Sequence, residues 1–212
     1  MKDVDPERLV FIDESGSTIS MSPLCGRSPR GERCIDHVPR NRGTVTTMIG
    51  ALRVDRMNAL ITIEGGTSTD VFEAYVVNVL GPTLWPGDIV VMDNLPAHRH
   101  ERVRDAIHRF GAFVKYLPPY SPELNPIELA WSTLKHWLRE SRARTHAALD
   151  EAIDAAARNI RTSQAAAWVK HCGYKVRPAR SALSLSYLSA HDLDLTQRRL
   201  RSSRVPACRR PA

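Results

Sequence analysis

Nowhere in its 212 residues does the chain carry an apolar stretch near the roughly eighteen residues a membrane helix needs. Its opening, Met1-Lys2-Asp3-Val4-Asp5-Pro6, is acidic and lacks the apolar run of a secretory leader. Both absences lead us to expect a cytosolic protein with no membrane partner. Cysteine is scarce, with four residues at 25, 34, 172 and 208 and no C-x-x-C pair. Cys25, Cys34 and His37 find no fourth ligand at zinc-finger spacing, so free thiols are expected. No internal repeat is visible, which excludes solenoids and propellers. What remains is a composition of 42% apolar and 25% charged residues, enough to bury a core in one domain.

The net charge of +7 is unevenly distributed. Residues 177–212 hold eight Arg, no Lys, two Asp and no Glu, which gives +6 and leaves +1 for residues 1–176. The expected organisation is a folded unit over 1–176 and a basic, disordered tail over 177–212. Such a tail suits phosphate contact or plain solvation equally well.

Leu9-Val10-Phe11-Ile12 reads as a buried strand that ends in a loop at Asp13-Glu14-Ser15-Gly16. Residues 22–43, rich in Pro, Gly and Arg, form a long connection. Thr44 to Leu52 and Ala59 to Ile63 read as a hairpin. Asp70 with Glu73 reads as a helix cap, followed by Phe72, Val76 and Val79 at helical spacing. Ile89-Val90-Val91-Met92 is a second apolar run ending in Asp93, and Val103, Ile107 and Phe110 mark the helix after it. Phe113 to Leu117 is another strand. Four prolines within nine residues, Pro118, Pro119, Pro122 and Pro126, then lead into a helix over 126–140. A last helix fits Leu149, Ile153, Ala156 and Ile160. The order implies a mixed α/β fold with an antiparallel start.

Asp13 and Asp93 each follow four apolar residues, and Glu128 opens the helix after a third strand. Carboxylates that converge on one cleft repel each other until a cation neutralises them. Magnesium suits such oxygen donors, and two ions can serve phosphodiester chemistry. Each residue also has a plainer reading. An Asp after a strand is a common turn residue. Glu128 sits at the third position of a helix that Asn125 would cap and Pro126 would open.

The text around these acids is more specific. Asp93-Asn94, the block Tyr116-Leu117-Pro118-Pro119-Tyr120-Ser121-Pro122-Glu123-Leu124-Asn125-Pro126-Ile127-Glu128-Leu129-Ala130-Trp131, and the 34 residues between Asp93 and Glu128 form one pattern. It resembles the catalytic domain of DDE transposases, in the mariner-like superfamily and its bacterial insertion-sequence 630 branch. Val10 to Glu14 looks like the family's first catalytic block, and Ser28 to Glu32 like another of its features. The resemblance spans about residues 7–175. It implies a ribonuclease H-like mixed sheet flanked by helices, with Asp13, Asp93 and Glu128 as the catalytic triad holding two Mg2+ ions, for which Mn2+ would substitute. The implied activity is DNA cleavage at terminal inverted repeats and joining of the 3′ ends to target DNA, by a homodimer on double-stranded DNA in the bacterial cytoplasm, at the nucleoid. Asn94 and His98 would support the site without binding metal.

The chain departs from the family pattern in three places, one of them the tail after Lys175-Val176, which does not look like the family. The helix-turn-helix modules that normally precede the catalytic domain are not found before it, so a separately encoded half is an expected partner. Arg27 stands where relatives commonly carry an aromatic. The alternative function is an inactive or truncated remnant that binds DNA or a partner without catalysis. Expected DNA contacts are Arg27, Arg30, Arg33, Arg40 and Arg42 in the first long loop, and Arg99, Arg102 and Arg109 about the helix after Asp93.

Overall fold

The computed structural model describes residues 4–176. The expectation of a basic, disordered tail over 177–212 falls outside them. The chain forms β1 (Leu9–Ser17), β2 (Thr46–Leu52), β3 (Met57–Glu64), α1 (Thr69–Tyr75, continued by a π turn over Val76–Leu80) and β4 (Ile89–Met92). Then follow α2 (Glu101–Arg109), β5 (Phe113–Tyr116), α3 (Ile127–Ser141), α4 (His146–Arg158) and α5 (Thr162–His171). The five strands make one mixed sheet in the order β3-β2-β1-β4-β5. Neighbours β1, β2 and β3 run antiparallel, whereas β4 and β5 run parallel to β1.

Strand alternation sorts the core into two layers. Leu9, Phe11 and Val91 face α3, α4 and α5, where they meet Ile127, Trp131, Leu134, Leu149 and Val169. Val10, Ile12, Val90 and Met92 face the other way, onto Phe72, Tyr75, Val76, Val103 and Ile107 from the α1 and α2 side. The central strands are therefore buried on both faces, which explains their unbroken apolar runs.

Three local expectations change. β1 does not stop before Asp13; it continues to Ser17 because β2 supplies a complete antiparallel partner, from Asp13 opposite Gly50 to Ser17 opposite Thr46. Ser68, not Asp70, caps α1, its Oγ accepting from the Val71 N–H at 3.3 Å, and Asp70 instead pairs with Arg102. The segment after Ile160 forms a separate helix, α5, whose buried face consists of Ala165 and Val169 and is too small to register as a periodic pattern.

The long connection after β1 is tied down near its start, where the Arg144 guanidinium donates to the carbonyls of Ile19 (3.0 Å) and Met21 (2.8 Å) and to Ser22 Oγ (2.9 Å). Arg27, Arg30, Arg33, Arg40 and Arg42 within it are exposed, as are Cys25 and Cys34. Among the described residues no helix is long and apolar enough to cross a membrane.

Leu134 anchors α3 to the sheet and is fully buried. Leu134→Ala should cost about 2–5 kcal/mol through lost transfer energy and the cavity left behind, read as a lower urea midpoint with an unchanged slope.

Candidate active site

Backbone register brings the two aspartates together. β1 and β4 pair in parallel, with Phe11 opposite Val91. Two residues further along each chain stand Asp13 and Asp93, level with one another and by alternation on the α3 face of the sheet. β4 ends at Met92 while β1 runs on, so both acids lie where the parallel part of the sheet opens. The Leu117 N–H donates to the Met92 carbonyl at 2.9 Å, carrying the neighbouring strand to the same level. From there the chain passes through Pro118 to Pro122 and a single 3-10 turn, Pro122–Leu124, into α3. Glu128 lies in the first turn of that helix.

α3 can come this close because of Gly50, the residue opposite Asp13. A Cβ there would lie 3.1 Å from the Trp131 ring and 2.9 Å from Met57 Cε, closer than packed atoms ordinarily sit. Asp13, Asp93 and Glu128 consequently line one cleft of about 440 Å³, with Asn94, Asn125 and the proline loop as its other walls. All three predicted site residues are brought to this one place.

The expected helix cap is not formed. Asn125 makes no side-chain cap to α3; its backbone carbonyl accepts the Glu128 N–H at 3.2 Å. Its Oδ1 is buried at the cleft with no hydrogen-bond partner among the described residues. Among the described residues Glu128 takes no capping hydrogen bond either, so its carboxylate has no structural duty that competes with the cleft.

Environment separates the two aspartates. Asp13 is 8% exposed, and burial pushes its carboxyl up to about 7, assisted by the charges of Glu128 and Asp93 and only partly offset by the Glu14 N–H and His98. For Asp93 burial also pulls upward, but the hydrogen bonds from His98 and the Leu95 N–H outweigh it and hold the carboxyl below its usual range. His98 has no exposed surface. Its Nδ1 donates to Asp93 Oδ1 at 2.6 Å and its Nε2 to Glu14 Oε1 at 3.3 Å. Because both partners are carboxylates, both ring nitrogens must carry protons. Burial alone would lower the imidazole's pKa, yet the two carboxylates lift it to about 9.

The His98 ring packs 4.2 Å from that of Phe72, and its carbonyl accepts from the Tyr116 hydroxyl at 3.0 Å. Asn94 donates its side-chain amide to the Leu117 carbonyl, fixing the chain just after Asp93. Glu14, Tyr116 and the Leu95 amide were not identified from sequence. Glu14 had a usable signal, since alternation turns it to the face opposite Asp13, toward the layer that holds His98.

Among the described residues no three acidic, histidine or cysteine side chains are already arranged to hold a metal ion. The donor set nevertheless fits a hard divalent cation. It offers three carboxylates and an orphaned amide oxygen, all oxygen donors, and His98 and the Glu14 N–H only partly offset the burial of the Asp13 charge. The fit has a stability consequence that can be measured. A carboxyl whose folded pKa is raised favours folding at low pH, and that contribution disappears as pH climbs from 3.8 through about 7. In chelator, Asp13→Asn should therefore match the parent at pH 4 and exceed it at pH 8 by up to about 4 kcal/mol. Urea unfolding at the two pH values tests this; a gain that does not grow with pH would show that Asp13 is not destabilised when charged.

The family model described as DDE superfamily endonuclease matches residues 8–150. Among solved structures, the chain is similar to the Mos1 mariner paired-end complex with Mn, at TM-score 0.67 and 18% identity over 79% of this chain and 53% of that one. It is similar to the pre-cleavage Mos1 transpososome at TM-score 0.65 and 17% identity, over 79% and 53%. The catalytic domain of Mos1 mariner transposase matches at TM-score 0.59 and 16% identity, over 79% and 78%. No curated protein matches the chain. The chain spans about half the length of the Mos1 chains in those complexes. At these identities the likeness establishes the fold, a ribonuclease H-like mixed sheet flanked by helices. With more than half of its length matched, the chain belongs to the DDE superfamily endonuclease family.

Proposed function

We propose that this chain is the catalytic part of a DNA transposase of the mariner-like superfamily, in its bacterial insertion-sequence 630 branch. It cuts at transposon ends and joins the 3′ ends to target DNA. The observation that carries the reading is the convergence of Asp13, Asp93 and Glu128 on one cleft in a DDE-family fold. The Mos1 structures lend support, including a paired-end complex with the left transposon end, a strand transfer complex and catalytic domains with Mg or Mn.

Asp13, Asp93 and Glu128 are the residues that would hold two Mg2+ ions, or Mn2+ in their place. When bound, such ions polarise the phosphodiester and activate the attacking water or 3′ hydroxyl. The protein's own residues prepare that site. Asp13 is buried, so water satisfies its charge poorly, and a bound cation would do so instead. His98 donates to Asp93 Oδ1 and restrains the rotation of this cleft-lining carboxylate. Glu14 holds the far side of the imidazole, so the ring cannot turn away. The fixed φ angles of the proline loop set the position of α3, and with it Glu128.

Residues 1–176 constitute the catalytic unit, with the basic segment 177–212 following it. Double-stranded DNA is the substrate. Joining two ends calls for two active sites, hence a homodimer on DNA, and a separately encoded helix-turn-helix half supplies end recognition. The work takes place in the bacterial cytoplasm, at the nucleoid.

The assay combines terminal-repeat DNA, Mg2+ or Mn2+, and the parent or a variant protein. Asp93→Asn should abolish cutting, and equal cleavage by that variant would remove the assignment. His98→Ala should lower metal affinity and cutting by about 10- to 100-fold, the usual effect of losing a residue that orients a ligand. Titration with Mn2+ reads the affinity independently of turnover.

A further inference from the structure

At the rim of the cleft, Tyr120 is fully exposed, and its φ of 55° lies in the left-handed region that non-glycine residues avoid. A large aromatic in open solvent, on a backbone that costs conformational energy, gains nothing for the fold. It is held there by stiff neighbours, Pro118 and Pro119 before it and Pro122 after it. Leu95, 44% exposed, stands on the same cleft.

Beside the cleft runs a second groove of about 570 Å³ that shares Pro118 and Pro119 with it as a common wall. Arg99 and Lys115 line this groove together with Tyr116, and no acidic side chain does. These two cations differ from others nearby. Arg102 is committed to Asp70 (2.7 Å) and Glu73 (3.0 Å), and Arg104 to Glu101 (3.3 Å). Among the described residues Arg99 and Lys115 have no such partner, and both are exposed.

An exposed aromatic platform next to a basic groove is the arrangement that holds an unpaired nucleic acid strand, the ring taking a base face and the cations taking phosphates. We infer that the wall formed by the proline loop is a single-strand track. Tyr120 stacks on a base displaced from its pair beside the reacting phosphate, and Arg99 and Lys115 hold the backbone of that same strand as it leaves the cleft. This rests on the proposed function for its substrate, DNA, and adds that the strand is locally unpaired at the site.

The test is metal-free binding, read by fluorescence anisotropy, to a fully paired DNA and to the same DNA with a few unpaired bases. The parent protein should prefer the unpaired form. Tyr120→Ala should erase most of that preference, weakening binding to the unpaired DNA by about ten-fold or more, and Tyr120→Phe should restore it. The pair Arg99→Ala and Lys115→Ala should reduce the salt slope on unpaired DNA by about 1.4, for two phosphates lost, while Arg102→Ala leaves it unchanged. Tyr120 and both cations are exposed, so native unfolding curves should accompany every variant.

Equal binding to both DNAs, unaffected by Tyr120→Ala, overturns the inference even if the parent nicks DNA with Mn2+, and in that case the proposed function stands. The predicted binding pattern without any metal-dependent nicking supports the track and overturns the proposed function instead. Failure to bind either DNA overturns the track and leaves the proposed function to the nicking assay.

Discussion

The parallel ladder between β1 and β4 is the constraint on which the site depends. Pairing Phe11 with Val91 leaves no freedom in where Asp13 and Asp93 stand, because each is two residues further along a strand whose neighbour is already in register. A slip of one residue would turn one carboxylate into the opposite layer, among Ile12 and Met92. Burial of the apolar runs on both sides of these strands is what makes such a slip expensive. The same packing that stabilises the core thus positions the acids.

That positioning has a cost, which the surroundings distribute unequally. Asp93 is compensated by His98 and the Leu95 N–H, and stays ionised. Asp13 is buried with no comparable donor beyond the Glu14 amide, and its carboxyl rises to about 7. Asp13, whose charge is unfavourable in the metal-free protein, is therefore the aspartate that stands to gain more from a cation. Structures often give up stability in this way where a site must bind charge.

His98 links the two layers of the fold. Its ring lies against Phe72, in the α1 and α2 layer, and its nitrogens reach Glu14 on β1 and Asp93 just past the end of β4. Asp93 follows the last strand residue and would otherwise be free to swing with the loop behind it. Through the imidazole its orientation is tied to the packing beneath the sheet. The proline loop does the same for Glu128 from the other side, by limiting where α3 begins.

Much of this was legible in the amino-acid sequence. The apolar runs Leu9–Ile12 and Ile89–Met92, the helical spacing of Ile127, Trp131, Leu134 and Leu138, and the block from Tyr116 to Trp131 determined the elements, the mixed sheet and the three acids as candidates. These are local properties, periods and spacings that the chain carries before it folds. What the sequence could not determine were matters of partnership. β1 extends through polar residues because β2 lies alongside it. Asn125 fails to cap α3 because its side chain is buried at the cleft. Arg102 is neutralised by Asp70 and Glu73 from α1, while Arg99 has no ion-pair partner among the described residues. Glu14 matters only because folding carries His98 to within reach of it, 84 residues away in sequence. Which charges are paired, buried or left open depends on groups brought together from distant parts of the chain, and only the tertiary structure decides that.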